Sequence, residues 1–365
     1  MVKSCEVEFE NNPLKICYTG RRIYGKVIIE LDKPKVIKGL KLQILGFAHV
    51  RFRWDTQTYH DTITYLDSKV DLLKPLGKES EISLKPGEYT FNFETDIPSD
   101  SPSSYEGTYG QVRYKTKIVF MRPMLFDQNF CRGFTVINCL NLNTYGPDLS
   151  LPVHDEFIKH LCCWPCKSSP LLIDAKLEKS GYVPGESIPV TLSVTNSSKA
   201  QVKEISVKLS LFVTYKTRVH VKTKCERITL SECKITLSSN EKSEFKEILK
   251  VPPASPTLNQ LCEIIDLAYQ VYVEGKVTGP HVNPRIYLPV VIGVIPLGIP
   301  ALGSTNSNNL EDYAIPPPTY QEASYMGTVE VAEEAKEDGD EETFVPMFPI
   351  CNVRGSCLEI NNNCS

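Results

Sequence analysis

The chain has no apolar run of about twenty residues that would cross a membrane as a helix. The nearest approach, Ile286 to Gly303, is interrupted by Pro289, Pro296 and Pro300 and reads as a terminal strand running into a loop. The opening residues, Met1-Val2-Lys3-Ser4-Cys5-Glu6, lack the apolar core of a secretory signal, so a cytosolic chain is expected. Neither sign of charge dominates: the net charge of -4 over 365 residues excludes a global basic field and with it the usual footprint of nucleic-acid binding. Histidine is scarce at six, none of them in an HExxH pair, and no GxSxG raises a nucleophile on a strand-to-helix elbow. No cofactor motif is found and no enzyme activity is expected. Long amphipathic helices are missing too; short ones are expected at most near Leu125 to Phe130 or Asp155 to Leu161.

Strands fill the chain instead. Val27 to Leu31, Leu40 to Leu45, Tyr89 to Phe93, Val112 to Val119, Val190 to Val194, Ile205 to Phe212 and Tyr269 to Val273 are short, β-branched or aromatic, and mostly alternating. Turn clusters such as Lys85-Pro86-Gly87-Glu88 and Val183-Pro184-Gly185-Glu186 separate them, as in antiparallel sandwiches. The order Tyr18-Thr19-Gly20 to Val27 is echoed by Tyr182 to Val190, and Ile37 to Leu42 by Val202 to Leu209, which points to two related units. The reading is an all-β protein of two immunoglobulin-like antiparallel β-sandwiches over residues 1–165 and 166–300. A disordered acidic tail is expected over 301–365, where polar Ser304 to Asn309 and acidic Glu333 to Glu342 hold too little apolar surface to offset chain entropy.

That tail carries Pro316-Pro317-Pro318-Thr319-Tyr320, a fit to PPxY. Proline holds the backbone near polyproline II, so such a segment docks in an aromatic-lined WW groove with little entropy to lose.

Other patterns are weaker. Gly20-Arg21-Arg22-Ile23-Tyr24-Gly25-Lys26 follows the first seven positions of a P-loop, but Val27 replaces the Mg²⁺-binding hydroxyl and the lysine enters a strand, so nucleotide binding is rejected. His160, Cys162, Cys163 and Cys166 are the one dense set of metal donors; structural zinc sites draw their ligands from two separated knuckles, so linker cysteines are the preferred reading and no metal is expected. Thirteen cysteines without a secretory signal are expected to be reduced thiols, and the sequons at Asn196 and Asn363 are discounted. Arg21, Arg22, Lys26, Lys33, Lys35, Lys38 and Lys41 make the first strands basic, which suits solvated faces and also acidic partner segments or acidic lipid headgroups.

Four blocks in order, Ser104 to Tyr114, Leu161 to Cys166, Gly181 to Ile188 and Leu288 to Leu297, resemble the alpha-arrestins, the arrestin-domain-containing proteins to which thioredoxin-interacting protein is related. The resemblance spans roughly residues 5 to 300 and is completed by the PPxY motif. It implies two tandem arrestin-type sandwiches and a non-enzymatic adaptor role. It further implies WW domains of HECT-type ubiquitin ligases as partners, contacting Pro317, Pro318 and Tyr320, with membrane receptors or transporters as cargo and a place at the plasma membrane and endosomes. Relatives with a second PPxY carry it further on, where this chain has Phe344-Val345-Pro346-Met347-Phe348-Pro349 and no such tyrosine. Thioredoxin binding through a cysteine is the alternative that the resemblance raises, with no single cysteine matched to it.

Overall fold

The computed structural model describes residues 2–76, 80–145, 147–160, 169–233, 236–258, 261–279, 281–298 and 344–348. Its strands are β1 (Val2–Phe9), β2 (Ile16–Tyr18), β3 (Arg22–Leu31), β4 (Lys35–Ile37), β5 (Gly39–Trp54), β6 (Gln57–Leu73), β7 (Ile82–Leu84), β8 (Gly87–Asp96), β9 (Tyr105–Gly107), β10 (Gly110–Met121) and β11 (Gln128–Ile137). Two 3₁₀ turns, Leu142–Tyr145 and Pro147–Ser150, lead to β12 (Val153–His160), β13 (Pro170–Leu177), β14 (Gly181–Tyr182), β15 (Ser187–Asn196), β16 (Val202–Lys216), β17 (Val221–Cys233), β18 (Glu241–Lys250), β19 (Ile265–Val277) and β20 (Arg285–Ile292).

The two sandwiches repeat one topology. In the first, the sheet β1-β3-β8 lies against β2-β11-β10-β5-β6, with β9 added to β10. In the second, β13-β15-β18 and β14-β20-β19-β16-β17 occupy the same places in the same order, and β12 is added beside β13. Even the exceptional parallel pairs correspond, β2 with β11 and β14 with β20. Tyr18 and Tyr182, the residues that open the two halves of the sequence repeat, each end the short strand of such a pair.

Alternation makes the sandwiches. Along β10 every second residue, Val112, Tyr114, Thr116, Ile118 and Phe120, is buried, and the residues between them are half-buried. Such a strand covers a core with one face while its other face meets water or a neighbour. Aromatic rings join the sheets of the first sandwich: Phe9 of β1 lies 5.2 Å from Phe134 of β11, with Phe93 of β8 and Tyr114 of β10 at 6.2 and 6.0 Å from Phe9 and Phe134 respectively. Tyr114 needs room that Gly46 supplies, because a Cβ there would lie 2.4 Å from its ring. Its buried hydroxyl donates to the Pro102 carbonyl at 2.6 Å, and Tyr269, its counterpart on β19, donates to the Ser255 carbonyl at 2.5 Å.

Two sequence expectations are changed. The segments proposed as helices are not helical: residues 125–127 form a hairpin loop that enters β11, and 155–160 belong to β12. β12 pairs along its length with β13, so the division read between residues 165 and 166 falls after this strand, which by hydrogen bonding belongs to the second sandwich. Gly25 and Lys26 lie within β3, with Lys26 paired to Glu8 at 3.0 Å, in keeping with the rejection of a phosphate loop. Asn196 is buried, its amide donating to the Ala200 carbonyl at 2.7 Å, so this sequon serves the fold.

Removing either tyrosine hydroxyl leaves a buried carbonyl without its donor. Tyr114→Phe and Tyr269→Phe are each expected to cost about 1–2 kcal/mol, read as a lowered urea midpoint in equilibrium unfolding; an unchanged midpoint would show that these bonds contribute nothing net.

Candidate functional site

The two sandwiches meet along a seam made largely by the first family-like block, Ser104 to Gly110. Tyr105 on β9 points its hydroxyl at that of Tyr215 on β16, 3.3 Å away and buried. Burial raises both phenols, Tyr215 to about 12, so each stays protonated and the pair shares a hydrogen bond. Gly107 sits where a Cβ would come within 2.4 Å of both hydroxyl oxygens, so any side chain there would wedge the seam open. Glu106 holds Arg113 in a two-point ion pair at 2.5 and 2.9 Å, fixing the β9 turn against β10.

Around this pair the contacts turn polar and aromatic. Tyr109 packs edge-on to Tyr215 with ring centroids 5.6 Å apart, and the Lys222 ammonium lies 4.0 Å from the Tyr109 centroid. The tip of the β5–β6 hairpin reaches across: the Trp54 ring stacks on His220 at 5.2 Å while Tyr59 meets the same imidazole edge-on at 4.4 Å. On the far side Tyr65 donates to the Cys262 sulfur at 3.5 Å.

A second junction is built by the last family-like block. The Val294 and Ile295 amides donate to the Leu140 carbonyl at 2.8 and 3.2 Å, and Leu142 returns its amide to the Ile295 carbonyl. Asn143 then bridges the Pro296 carbonyl and the Gly298 amide. Here the tail comes back. Met347 donates its amide to the Thr135 hydroxyl at 3.1 Å, Phe344 covers Gly133, and Phe348 is buried against Ile16, Ile137 and Val294. Residues 299–343 therefore connect two points of the body, Gly298 and Phe344. Sequence reasoning noted Phe344 to Pro349 only for the tyrosine it lacks. The available signal was an apolar island directly after an acidic run.

Pro317, Pro318 and Tyr320 lie outside the described residues, as do Cys162, Cys163 and Cys166. His160 ends β12, opposite Pro170. Among the described residues no group of three or more His, Cys, Asp or Glu is placed to hold a metal ion. Two surface clefts occur near titratable groups, one of about 550 Å³ between Glu8, Glu10 and Lys26 and one of about 500 Å³ beside Lys179 and Glu186. In each the lysine is already paired with a carboxylate. The thiols divide by burial: Cys5 and Cys17 are pushed up to about 12 by desolvation, Cys262 is also raised, and desolvation raises Cys139 too although the residue is exposed, while Cys225 is exposed.

Residues 5–143 match the family described as Arrestin (or S-antigen), N-terminal domain, and residues 167–297 match Arrestin (or S-antigen), C-terminal domain. The chain is 30% identical over 331 residues to Arrestin domain-containing protein 4 of Homo sapiens, an alignment covering 86% of this chain and 76% of that protein. The chain is an alpha-arrestin. It is also similar to Arrestin domain-containing protein 17 of Caenorhabditis elegans, 29% identical over 78% of this chain and 69% of that one. Thioredoxin-interacting protein of Homo sapiens is 25% identical over 80% of this chain and 74% of its own length. Two of the four family-like blocks of this alpha-arrestin join the sandwiches: Ser104 to Gly110 makes the seam and Val294 to Leu297 the second junction. No described helix is long and apolar enough to cross a membrane.

Two outcomes follow from this alpha-arrestin geometry. Phe348→Ala removes an aromatic anchor worth on the order of 2 kcal/mol, so hydrogen exchange at 344–348 should rise while exchange in β10 and β19 stays slow; unchanged protection would mean that Phe348 does not hold the segment. Maleimide at pH 8 should label Cys225 in the native protein and reach Cys5 and Cys17 only after unfolding, because protonated, desolvated thiols are poor nucleophiles.

Proposed function

We propose that this alpha-arrestin is a non-enzymatic adaptor that brings WW-domain, HECT-type ubiquitin ligases to membrane receptors or transporters and so promotes their ubiquitination, endocytosis and sorting. The observation that carries the reading is the PPxY motif at Pro317, Pro318 and Tyr320, set in the chain between two attachment points on a body made of two family-typical sandwiches. A motif so placed stays with the body while a ligase holds it, and the sandwich faces remain for cargo. Family membership supports the adaptor role. The protein then works at the cytoplasmic side of the plasma membrane and endosomes. One PPxY gives affinity of about micromolar order, so cargo or membrane contact must add avidity.

Pro317→Ala/Tyr320→Ala is expected to weaken capture by a recombinant WW-domain ligase by a hundredfold or more, with the unfolding midpoint unchanged. Equal capture by the double variant would overturn the assignment. A second reading, a redox regulator that binds thioredoxin through a cysteine, draws on the similarity to thioredoxin-interacting protein and on Cys139 and Cys225, which lie at the surface. A mixed disulfide trapped by thioredoxin lacking its resolving cysteine, and lost in Cys139→Ser/Cys225→Ser, would support it.

A further inference from the structure

The end of the first sandwich remote from the seam carries an exposed apolar projection. The hairpin between β10 and β11, residues 122–127, presents three consecutive apolar side chains, Met124, Leu125 and Phe126, at 102%, 65% and 95% exposure. Nothing in the described fold covers them. The loop is nevertheless held in shape: Arg122 donates its Nε to the Phe126 carbonyl at 2.7 Å, and its amide to Asp127 at 3.4 Å. Met124 has φ of +56°, a left-handed conformation that glycine or asparagine adopts more cheaply, and its side chain makes no contact that would compensate. Strain retained under an exposed apolar residue points to a partner outside the molecule.

Cations surround the base of this projection. Lys38 is exposed and its amide donates to the Met121 carbonyl, which sets it next to the end of β10. Lys35 reaches Gln128 at the start of β11 at 2.7 Å, and burial, with the charge of Arg122 added, lowers its pKa. At Gly39 the end of β6 joins the same edge, since a Cβ there would meet both the Met121 side chain and the Leu73 carbonyl. Lys74 and the 86%-exposed Leu76 follow directly, with Val36 half exposed on β4. Of the acidic groups here, Asp71 pairs with Lys74 at 2.7 Å and Asp127 accepts from the Arg122 amide, while the exposed Glu81 directly precedes Ile82, the partner of Ile37 on β4. Of the rest of the basic run, Arg22 pairs with Asp96 at 2.8 Å and Lys26 with Glu8 at 3.0 Å along β3, and Lys41 on β5 lies 3.9 Å from Asp71.

An apolar tip above a collar of cations matches a bilayer with acidic headgroups. Leu125 and Phe126 would enter the acyl boundary while Lys35, Lys38 and Arg122 lie at phosphate level, and a convex loop needs no pocket in a deformable apolar phase. We propose that the 122–127 loop is a membrane-inserting anchor that docks the first sandwich on acidic phospholipid surfaces. It goes beyond the adaptor reading and does not depend on ligase capture.

Flotation of the full chain with vesicles of phosphatidylcholine containing phosphatidylserine, beside phosphatidylcholine alone, tests it. Binding is expected on the acidic vesicles and is expected to fall with added salt. Leu125→Ser/Phe126→Ser should weaken it about tenfold or more, and Lys38→Glu should weaken it on acidic vesicles. All these positions are exposed, so the unfolding midpoint serves as the folding control. Unchanged partition of the double variant, or equal binding to neutral vesicles, would overturn the proposal. So would absent vesicle binding, including absence accompanied by loop-dependent self-association, which would assign the loop to a second copy. Pro317→Ala/Tyr320→Ala should bind vesicles like the wild type, which keeps failure here distinct from failure of the adaptor reading.

Discussion

The buried contact between the Tyr105 and Tyr215 hydroxyls is the point on which the two-sandwich body turns. Two phenols removed from water must find partners; in this seam they meet each other, and the Thr108 and Tyr109 backbone also bonds Tyr215. That requirement sets how close β9 and β16 approach and makes glycine the residue that fits at 107. The neighbouring contacts, Lys222 over Tyr109 and His220 between Trp54 and Tyr59, depend on that approach and add a polar, aromatic rim. A rim of cation–π and stacking contacts is weaker than a hydrophobic core, but it fixes direction. The body can therefore present faces from both sandwiches in a set relation.

The repeated topology explains why so much of the sequence looks alike and yet does different work. Both sandwiches solve the same problem, covering one face of each sheet, with the same strand order. Their edges differ. The first sandwich carries the apolar hairpin tip at one end and the receiving site for Phe348 along β2 and β11; the second carries β12 beside β13. Specialisation is concentrated in loops and edges, where a substitution need not disturb the packed interior.

The tail is more than a leash. With Phe344 to Phe348 seated on the first sandwich, the chain leaves the body after Gly298 and rejoins it at Phe344, on either side of Pro317, Pro318 and Tyr320. Seating involves three modest contacts: a hydrogen bond to Thr135, a ring over Gly133 and one buried phenylalanine. Such an attachment lies at the low-stability end of the structure, where a partner can compete for it.

The amino-acid sequence by itself determined the strand-rich class, the duplication, the family and the PPxY motif, because alternation, turn residues and short linear motifs act over a few neighbouring residues. It also led to the rejection of a phosphate loop at Gly20 to Lys26, from the hydroxyl missing at Val27 and the lysine entering a strand. It misplaced helices at Leu125 to Phe130 and Asp155 to Leu161, where 125–127 turn as a hairpin loop and pairing with β10 and β13 takes 128–130 and 155–160. Only the tertiary structure decided that β12 pairs with the second sandwich, that Tyr105 meets Tyr215 across 110 residues, that Arg22 and Lys26 are paired along β3 while Lys38 is exposed beside the hairpin tip, and that Phe348 is buried. These are choices between distant surfaces of similar chemistry, and such a choice is made by which surfaces fit and exclude water together, a property no local stretch of sequence contains.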